Sequence, residues 1–164
     1  MKILYLIRHA KSSWADFNLD DIDRPLNKRG LRDAPFMAQL LVGQGVRPDA
    51  LVSSPAKRAY CTAVFFAQAF DYPAADIVQR PAIYEASWYQ IQQVARELND
   101  EWKTVCLFGH NPSFTASANA FYSDYLPNLP TCGVVRVELD IERWAELAPE
   151  RGRVTAIHYP KEFL

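Results

Sequence analysis

Three apolar runs stand out from an otherwise mixed pattern of polar and hydrophobic positions: Met1–Ile7 (MKILYLI), Asp49–Ser53 (DALVS) and Thr104–Gly109 (TVCLFG). Each is short and continuous, the pattern of a strand buried on both faces of a parallel sheet. Each then meets polar or charged residues and leads toward a helix. After the first run, Asp16 to Pro25 is polar and reads as a loop, and Asn27 is placed to cap a helix. Leu31, Ala34, Ala38 and Leu41 follow at helical spacing, Pro35 predicts a kink or a late start, and Gly43 and Gly45 close the segment. After the second run, Ser54-Pro55 predicts an N-cap followed by proline at the first helical position, with Ala59, Ala63, Phe66 and Phe70 on one face. A short strand is expected at Asp76–Gln79, then a helix marked by Ile91, Val94, Ala95 and Leu98, with Ser87 as its cap. After the third run, His110-Asn111-Pro112 repeats the cap and proline, and Phe114, Ala118 and Phe121 share a helical face.

From Gly133 the period changes. Val135, Val137 and Leu139 alternate with Arg136, Glu138 and Asp140, as in a half-exposed strand, and Val154 to Tyr159 offers an antiparallel partner. No repeat, low-complexity tract or linker divides the chain. The expectation is a single α/β domain over residues 1–164, three-layered, with a mostly parallel central sheet flanked by helices.

Composition narrows the function classes. Hydrophobic residues are 49% and charged residues 23%, an ordinary globular balance. Eighteen Lys plus Arg face nineteen Asp plus Glu, for a formal net charge of -1, which argues against a nucleic-acid partner. Cys61, Cys106 and Cys132 include no C-x-x-C pair, so reduced thiols are expected rather than disulfides or a cysteine-rich zinc site. The apolar start is stopped at once by Arg8, His9 and Lys11, too early for a signal-peptide core, and no run approaches a membrane span. A cytoplasmic protein with no membrane partner is expected. Its three histidines are too scattered to suggest a metal site, so neither metal nor cofactor is expected.

Chemistry enters at the three strand ends. In an open parallel sheet, ligands bind along the edge where the strands finish. That edge would gather Arg8, His9, Arg58 and His110, with two helix N-termini facing them. Two guanidiniums can each grip a dianion in bidentate fashion. The imidazoles go beyond what phosphate binding needs. A neutral imidazole nitrogen is a competent nucleophile toward phosphorus, and a second imidazole, if cationic, can stabilise the equatorial oxygens. His158, in the last strand, reads as structural, while Trp14 and Trp88 flank the site segments and can form its rim.

These residues also carry a resemblance. Leu6-Ile7-Arg8-His9-Ala10 resembles the R-H-G signature of the histidine phosphatase, or phosphoglycerate-mutase-like, superfamily. Asp23 to Gly30 (DRPLNKRG) resembles its D-x-x-L-T-x-x-G stretch, Ser53 to Thr62 its S-S-P-x-x-R-A-x-x-T segment, and Gly109-His110 its second histidine motif. The motifs occur in the family's order and span most of the chain. The resemblance implies that His9 accepts the phosphoryl group and that Arg8, Arg58 and His110 bind it. Two departures are Ala10 in place of the signature glycine, and Ala15 where the family's mutases often carry Asn, a loss Ser12 can make good as a phosphate ligand. The family's proton donor is an acidic residue between the arginine motif and the second histidine. Glu85, just before a helix, is the candidate, ahead of Glu97, Asp100 and Glu101.

Twenty-six residues lie between Arg58 and Glu85, too few for the lid-forming insertions of the mutase and sugar-bisphosphatase branches. The compact length, the R-H-A-K-S-S-W start and the Y-E-A-S segment look like the SixA-type phosphohistidine phosphatases. The resemblance implies a metal-independent phosphatase acting on a phosphorylated protein, such as a histidine-phosphotransfer domain. The alternatives are a phosphatase of a small phosphorylated metabolite and a non-catalytic phosphate- or phosphoprotein-binding module. Retention of His9 argues against the last, since a binder needs no nucleophile.

Overall fold

Alternation along β1 (Lys2–Arg8) sends Leu4 and Leu6 to one face of a six-stranded sheet and Tyr5 and Ile7 to the other. β2 (Ala50–Ser53) and β4 (Thr104–Gly109) divide in the same way, so each strand feeds two cores. A computed structural model describes residues 1–164. The sheet is completed by β3 (Val78–Gln79), β5 (Val134–Leu139) and β6 (Gly152–His158), in the order β3-β2-β4-β1-β5-β6. The pairs β3–β2, β2–β4 and β4–β1 are parallel, whereas β1–β5 and β5–β6 are antiparallel.

Helices α1 (Lys28–Gly43) and α2 (Lys57–Ala69) cover one face, placing Ala34, Met37, Ala38, Ala63 and Phe66 against Ile7 and Phe108. Helices α3 (Trp88–Arg96) and α4 (Ser113–Asn119) cover the other, with Ile91, Val94, Phe114 and Ala118 against Leu6 and Leu107. Burying each large apolar side chain contributes roughly 1.5–3 kcal/mol, so the three layers form from the strand alternation and the helix faces together.

Some local expectations shift. α1 runs through Pro35 without ending, because the carbonyl the proline leaves unpaired belongs to Leu31, half of whose surface is open to water (51%). Asn27 caps α1 as expected, its side chain accepting from the Gly30 amide. Gly30 is required there, since a Cβ would run into the Lys11 carbonyl. Ser87 caps α3 in a capping box with Gln90. Ser54 caps no helix. α2 begins at Lys57 after Ala56, and the Ser54 hydroxyl instead accepts from the Ala56 amide and faces the site. The β3 strand is only two residues long, Asp76 belonging to a 3-10 turn. No helix is long and apolar enough to cross a membrane.

Candidate active site

Strand register assembles the site. Arg8 of β1 pairs with Gly109 of β4, and Ser53 of β2 pairs with Phe108. The next residues of all three strands therefore come out side by side: His9, His110 and Ser54. The His9 amide donates to the Gly109 carbonyl at 3.0 Å and the Ser54 amide to the Phe108 carbonyl at 3.0 Å, extending the ladder one step past each strand. The two imidazole rings lie 5.2 Å apart between centroids. Gly109 is needed at this corner, because a Cβ would strike the Phe114 ring at 2.5 Å.

His9 is held in one tautomer. Its Nδ1 lies 2.7 Å from the Ala10 carbonyl, which can only accept, so Nδ1 carries the proton and Nε2 keeps its lone pair. Thr62 ties the same residue to α2: its hydroxyl accepts from the Ala10 amide at 3.0 Å and donates to the Arg58 carbonyl at 2.7 Å. Burial, joined by the neighbouring His110, Arg58 and Arg8, lowers the His9 pKa to about 3 against the opposing pull of the Ala10 carbonyl. The imidazole is neutral across the physiological range.

His110 is also kept neutral, its pKa lowered to about 4 by burial and then by Arg58, with Asp21 opposing. Its Nε2 meets the Ser54 hydroxyl at 2.8 Å and the edge of the Tyr84 ring packs against it. Its imidazole is therefore neutral, not the imidazolium considered from sequence. Arg8 donates from Nη1 to the Leu129 carbonyl at 2.9 Å. Arg58, in the first turn of α2, donates from Nη1 to the Asp21 carbonyl and from Nη2 to its carboxylate, at 2.7 and 3.0 Å. Three buried nitrogens here have no partner in the protein: Arg8 Nε, Arg58 Nε and His110 Nδ1. Leaving such groups unpaired costs on the order of 1–3 kcal/mol each, a cost that an oxyanion relieves.

Asp21 is the residue that sequence reasoning missed. It sits in a 3-10 turn, Asp21–Asp23, inside the stretch read only as polar loop. Its carboxylate accepts from the Tyr84 hydroxyl at 2.6 Å, Arg58 Nη2 at 3.0 Å and Arg24 Nε at 3.1 Å. The Tyr84 bond, with Arg58 and Arg24 behind it, lowers its pKa to about 2 despite some desolvation. The same bond raises Tyr84 to about 12. Asp21 is thus an anion that orients Arg58, and is too acidic to donate a proton at neutral pH. Only the nearby D-R-P-L stretch signalled its importance, and nothing in the run Asp20, Asp21, Asp23 marked Asp21 from its neighbours.

Two expected residues sit at the margin. Ser12 is buried, and its hydroxyl accepts from Arg24 Nη1 at 2.9 Å, linking it to the site through Arg24 and Asp21 rather than directly to the histidines. Trp14 stacks on the same Arg24, whose guanidinium carbon lies 3.5 Å from the ring centroid. Glu85 follows Tyr84 with an exposed side chain and a left-handed backbone, φ 54°. That conformation is uncommon for a residue with a Cβ, and Asp71 and Cys132 adopt it too. Of the two helix N-termini, α2 has no side-chain cap and leaves its first N–H groups free, and α4 is only seven residues long, with the Asn111 side chain accepting from Thr115. No three His, Cys, Asp or Glu side chains cluster as metal ligands do.

A family model described as the histidine phosphatase superfamily (branch 1) matches residues 4–119. An uncharacterised chloroplastic protein of Arabidopsis thaliana is 30% identical over 87% of this chain and 69% of its own length. An uncharacterised protein of Mycobacterium tuberculosis is 27% identical over 94% of this chain and the whole of its own. Among solved structures, a candidate phosphohistidine phosphatase SixA from Agrobacterium tumefaciens superposes with a TM-score of 0.83 at 29% identity, covering 97% of this chain and 98% of that one. The protein histidine phosphatase SixA complexed with tungstate also gives 0.83, at 19% identity and 99% coverage of both, a likeness of fold.

Proposed function

The chain belongs to the histidine phosphatase superfamily, and from that premise we propose that it is a cytoplasmic, metal-independent phosphatase of protein phosphohistidine whose phosphoryl group passes through His9. The observation that carries this reading is the hydrogen bond from His9 Nδ1 to the Ala10 carbonyl, which frees Nε2 as the nucleophile beside the unpartnered Nε–H groups of Arg8 and Arg58.

In the first step, the Nε2 lone pair of His9 attacks phosphorus and a P–Nε2 bond forms. The bond from phosphorus to the substrate imidazole breaks, and that imidazole leaves with the electron pair and takes up a proton. Its other ring nitrogen, with a reference pKa near 6.5, can take that proton from solvent before the bond breaks, so the ring leaves as neutral imidazole and the demand on Glu85 is small. Arg8, Arg58 and His110 hold the three equatorial oxygens as charge redistributes. In the second step, water attacks phosphorus, the P–Nε2 bond breaks, and the proton released by water passes to Glu85 or to solvent. Inorganic phosphate leaves and His9 recovers its lone pair.

The similarity to SixA proteins supports phosphohistidine as the substrate class, as does the short segment between Arg58 and Glu85. The test compares kcat/KM for a phosphohistidine protein, free phosphohistidine and common sugar phosphates, each with and without EDTA. The phosphohistidine protein is expected to be turned over best, with no effect of EDTA. A sugar phosphate turned over faster would overturn the substrate, and loss of activity in EDTA would overturn the metal-free mechanism.

A further inference from the structure

Beside the catalytic pocket lies a groove of about 510 Å³ that shares only Arg8 with it. It opens next to Arg8, and its lining includes Lys11, Arg29, Arg32 and Lys161 but neither His9 nor His110. Asp33 is its one acidic side chain. Five cationic side chains thus line a groove with one acidic side chain, on a chain whose formal net charge is -1.

Asp33 explains only part of this. It is fully buried, and two guanidiniums approach it: Arg32 Nη2 at 2.8 Å and Arg29 Nε at 3.6 Å. Arg29 is further held by its Nη2, which donates to the Thr131 hydroxyl at 3.3 Å. Arg32 pairs with Asp33 Oδ1 through both Nε and Nη2, while Asp33 Oδ2 keeps no hydrogen-bond partner although Arg29 lies 3.6 Å away. Lys11 and Lys161 make no ion pair or hydrogen bond through their ammonium groups, and Arg8 keeps its Nε unpartnered. Concentrating like charges in this way opposes folding unless an anion offsets it. The cations come from four separate parts of the chain: β1, the loop after it, α1 and the C-terminal segment.

We propose that this groove seats an acidic segment of the phosphorylated protein whose phosphohistidine enters the catalytic pocket. The proposal rests on the reading of the substrate as a phosphoprotein. Arg8 lies at the junction, so a chain bound along the groove delivers its phosphoryl group toward His9. Charge complementarity of this kind acts chiefly on encounter and on choice of partner, and it weakens as salt screens it.

The test separates the groove from the catalysis. A fluorescein-labelled oligoglutamate peptide is titrated with the whole protein at low salt and followed by anisotropy. The wild type is expected to bind, and the double variant Lys11→Glu, Lys161→Glu to bind at least about tenfold more weakly. Arg47→Glu, an exposed reversal before β2 at the opposite edge of the sheet, should bind as the wild type does. In parallel, the double variant should lose about tenfold in kcat/KM on an acidic phosphohistidine protein, through KM, while phosphoramidate hydrolysis stays within about twofold. If the peptide fails to bind the wild type, or binds all variants alike, the groove is no acidic-segment site, whatever the enzyme hydrolyses. If a short RNA binds the same residues more tightly than the peptide at equal salt, the occupant is wrong. If the peptide behaves as expected but no phosphoprotein is turned over, the groove stands and the reading of the substrate falls.

Discussion

Arg8, His9, Ser54 and His110 stand at the ends of three strands that hydrogen-bond to one another, whereas Asp21, Tyr84 and Glu85 stand on two loops joined to the site through side chains. The floor is fixed by backbone. A shift in any of its members would break the β1–β4–β2 ladder, and its histidines are 7% exposed. The rim is held by one carboxylate, Asp21, which connects Tyr84, Arg24 and Arg58. The floor should therefore set whether the chemistry occurs, and the rim how fast and on which leaving groups.

The largest effect short of removing the nucleophile is expected at Arg58, where floor and rim meet. Arg58→Lys keeps the charge but loses the fork that reaches both Asp21 and an oxyanion. Its kcat/KM should fall about a hundredfold, roughly 3 kcal/mol of transition-state stabilisation. Retention of full activity in steady-state assays would show that a point charge suffices and that the rim does not orient the floor.

Acid sensitivity comes next and belongs to the floor alone. His9 and His110 have folded pKa values of about 3 and 4, below the unfolded value near 6.5. As pH falls through 6.5, the unfolded chain takes up protons that the folded chain refuses, so stability present above 6.5 is lost progressively down to about 4 for His110 and about 3 for His9. The loss is on the order of 3–5 kcal/mol for each histidine. Asp21 contributes in a lower window, between its unfolded value near 4 and about 2. Denaturant melts at stepped pH should show the upper window shrink in His110→Gln, and shrink in the wild type on adding tungstate, whose charge favours the imidazolium. A pH-independent stability between 6.5 and 4 would mean the histidines are not desolvated as the fold implies.

The same division explains what could be read from the chain. The three buried strands, the flanking helices and the histidines and arginines at the strand ends follow from local patterns, apolar runs ending in charge, which tertiary packing reinforces. Pro35 misled because a helix tolerates it where the freed carbonyl is solvated. Ser54 misled because Ser-Pro is a capping signal, while its hydroxyl is claimed by the Ala56 amide and His110. Asp21 and Tyr84 are 63 positions apart and meet through one hydrogen bond, so neither leaves a periodicity or a spacing to detect. The basic groove was equally hidden, since net charge averages it away.

Two smaller effects sharpen the account of the rim. Asp21→Asn removes the anion but keeps an acceptor for Tyr84, and should lower kcat/KM about tenfold on esters and phosphoramidates alike, because it acts by orienting Arg58. Glu85→Gln should instead discriminate, slowing an alkyl phosphate ester strongly and a phosphoramidate or nitrophenyl ester little, since those leaving groups need less protonation. An equal loss on all three substrates would move Glu85 from proton transfer to positioning.

The central claim, that the phosphoryl group is carried on His9 Nε2, is met most directly by rapid quenching with phosphorus-labelled substrate. The wild type should show, within the first turnover, label on His9 that is lost in acid and stable in alkali, as an N-linked phosphate is. His9→Ala should carry no label and lose turnover by at least about a thousandfold while still binding tungstate, because Arg8, Arg58 and His110 remain. Turnover in the wild type without any acid-labile label, or a comparable rate in His9→Ala, would mean that water attacks the substrate directly.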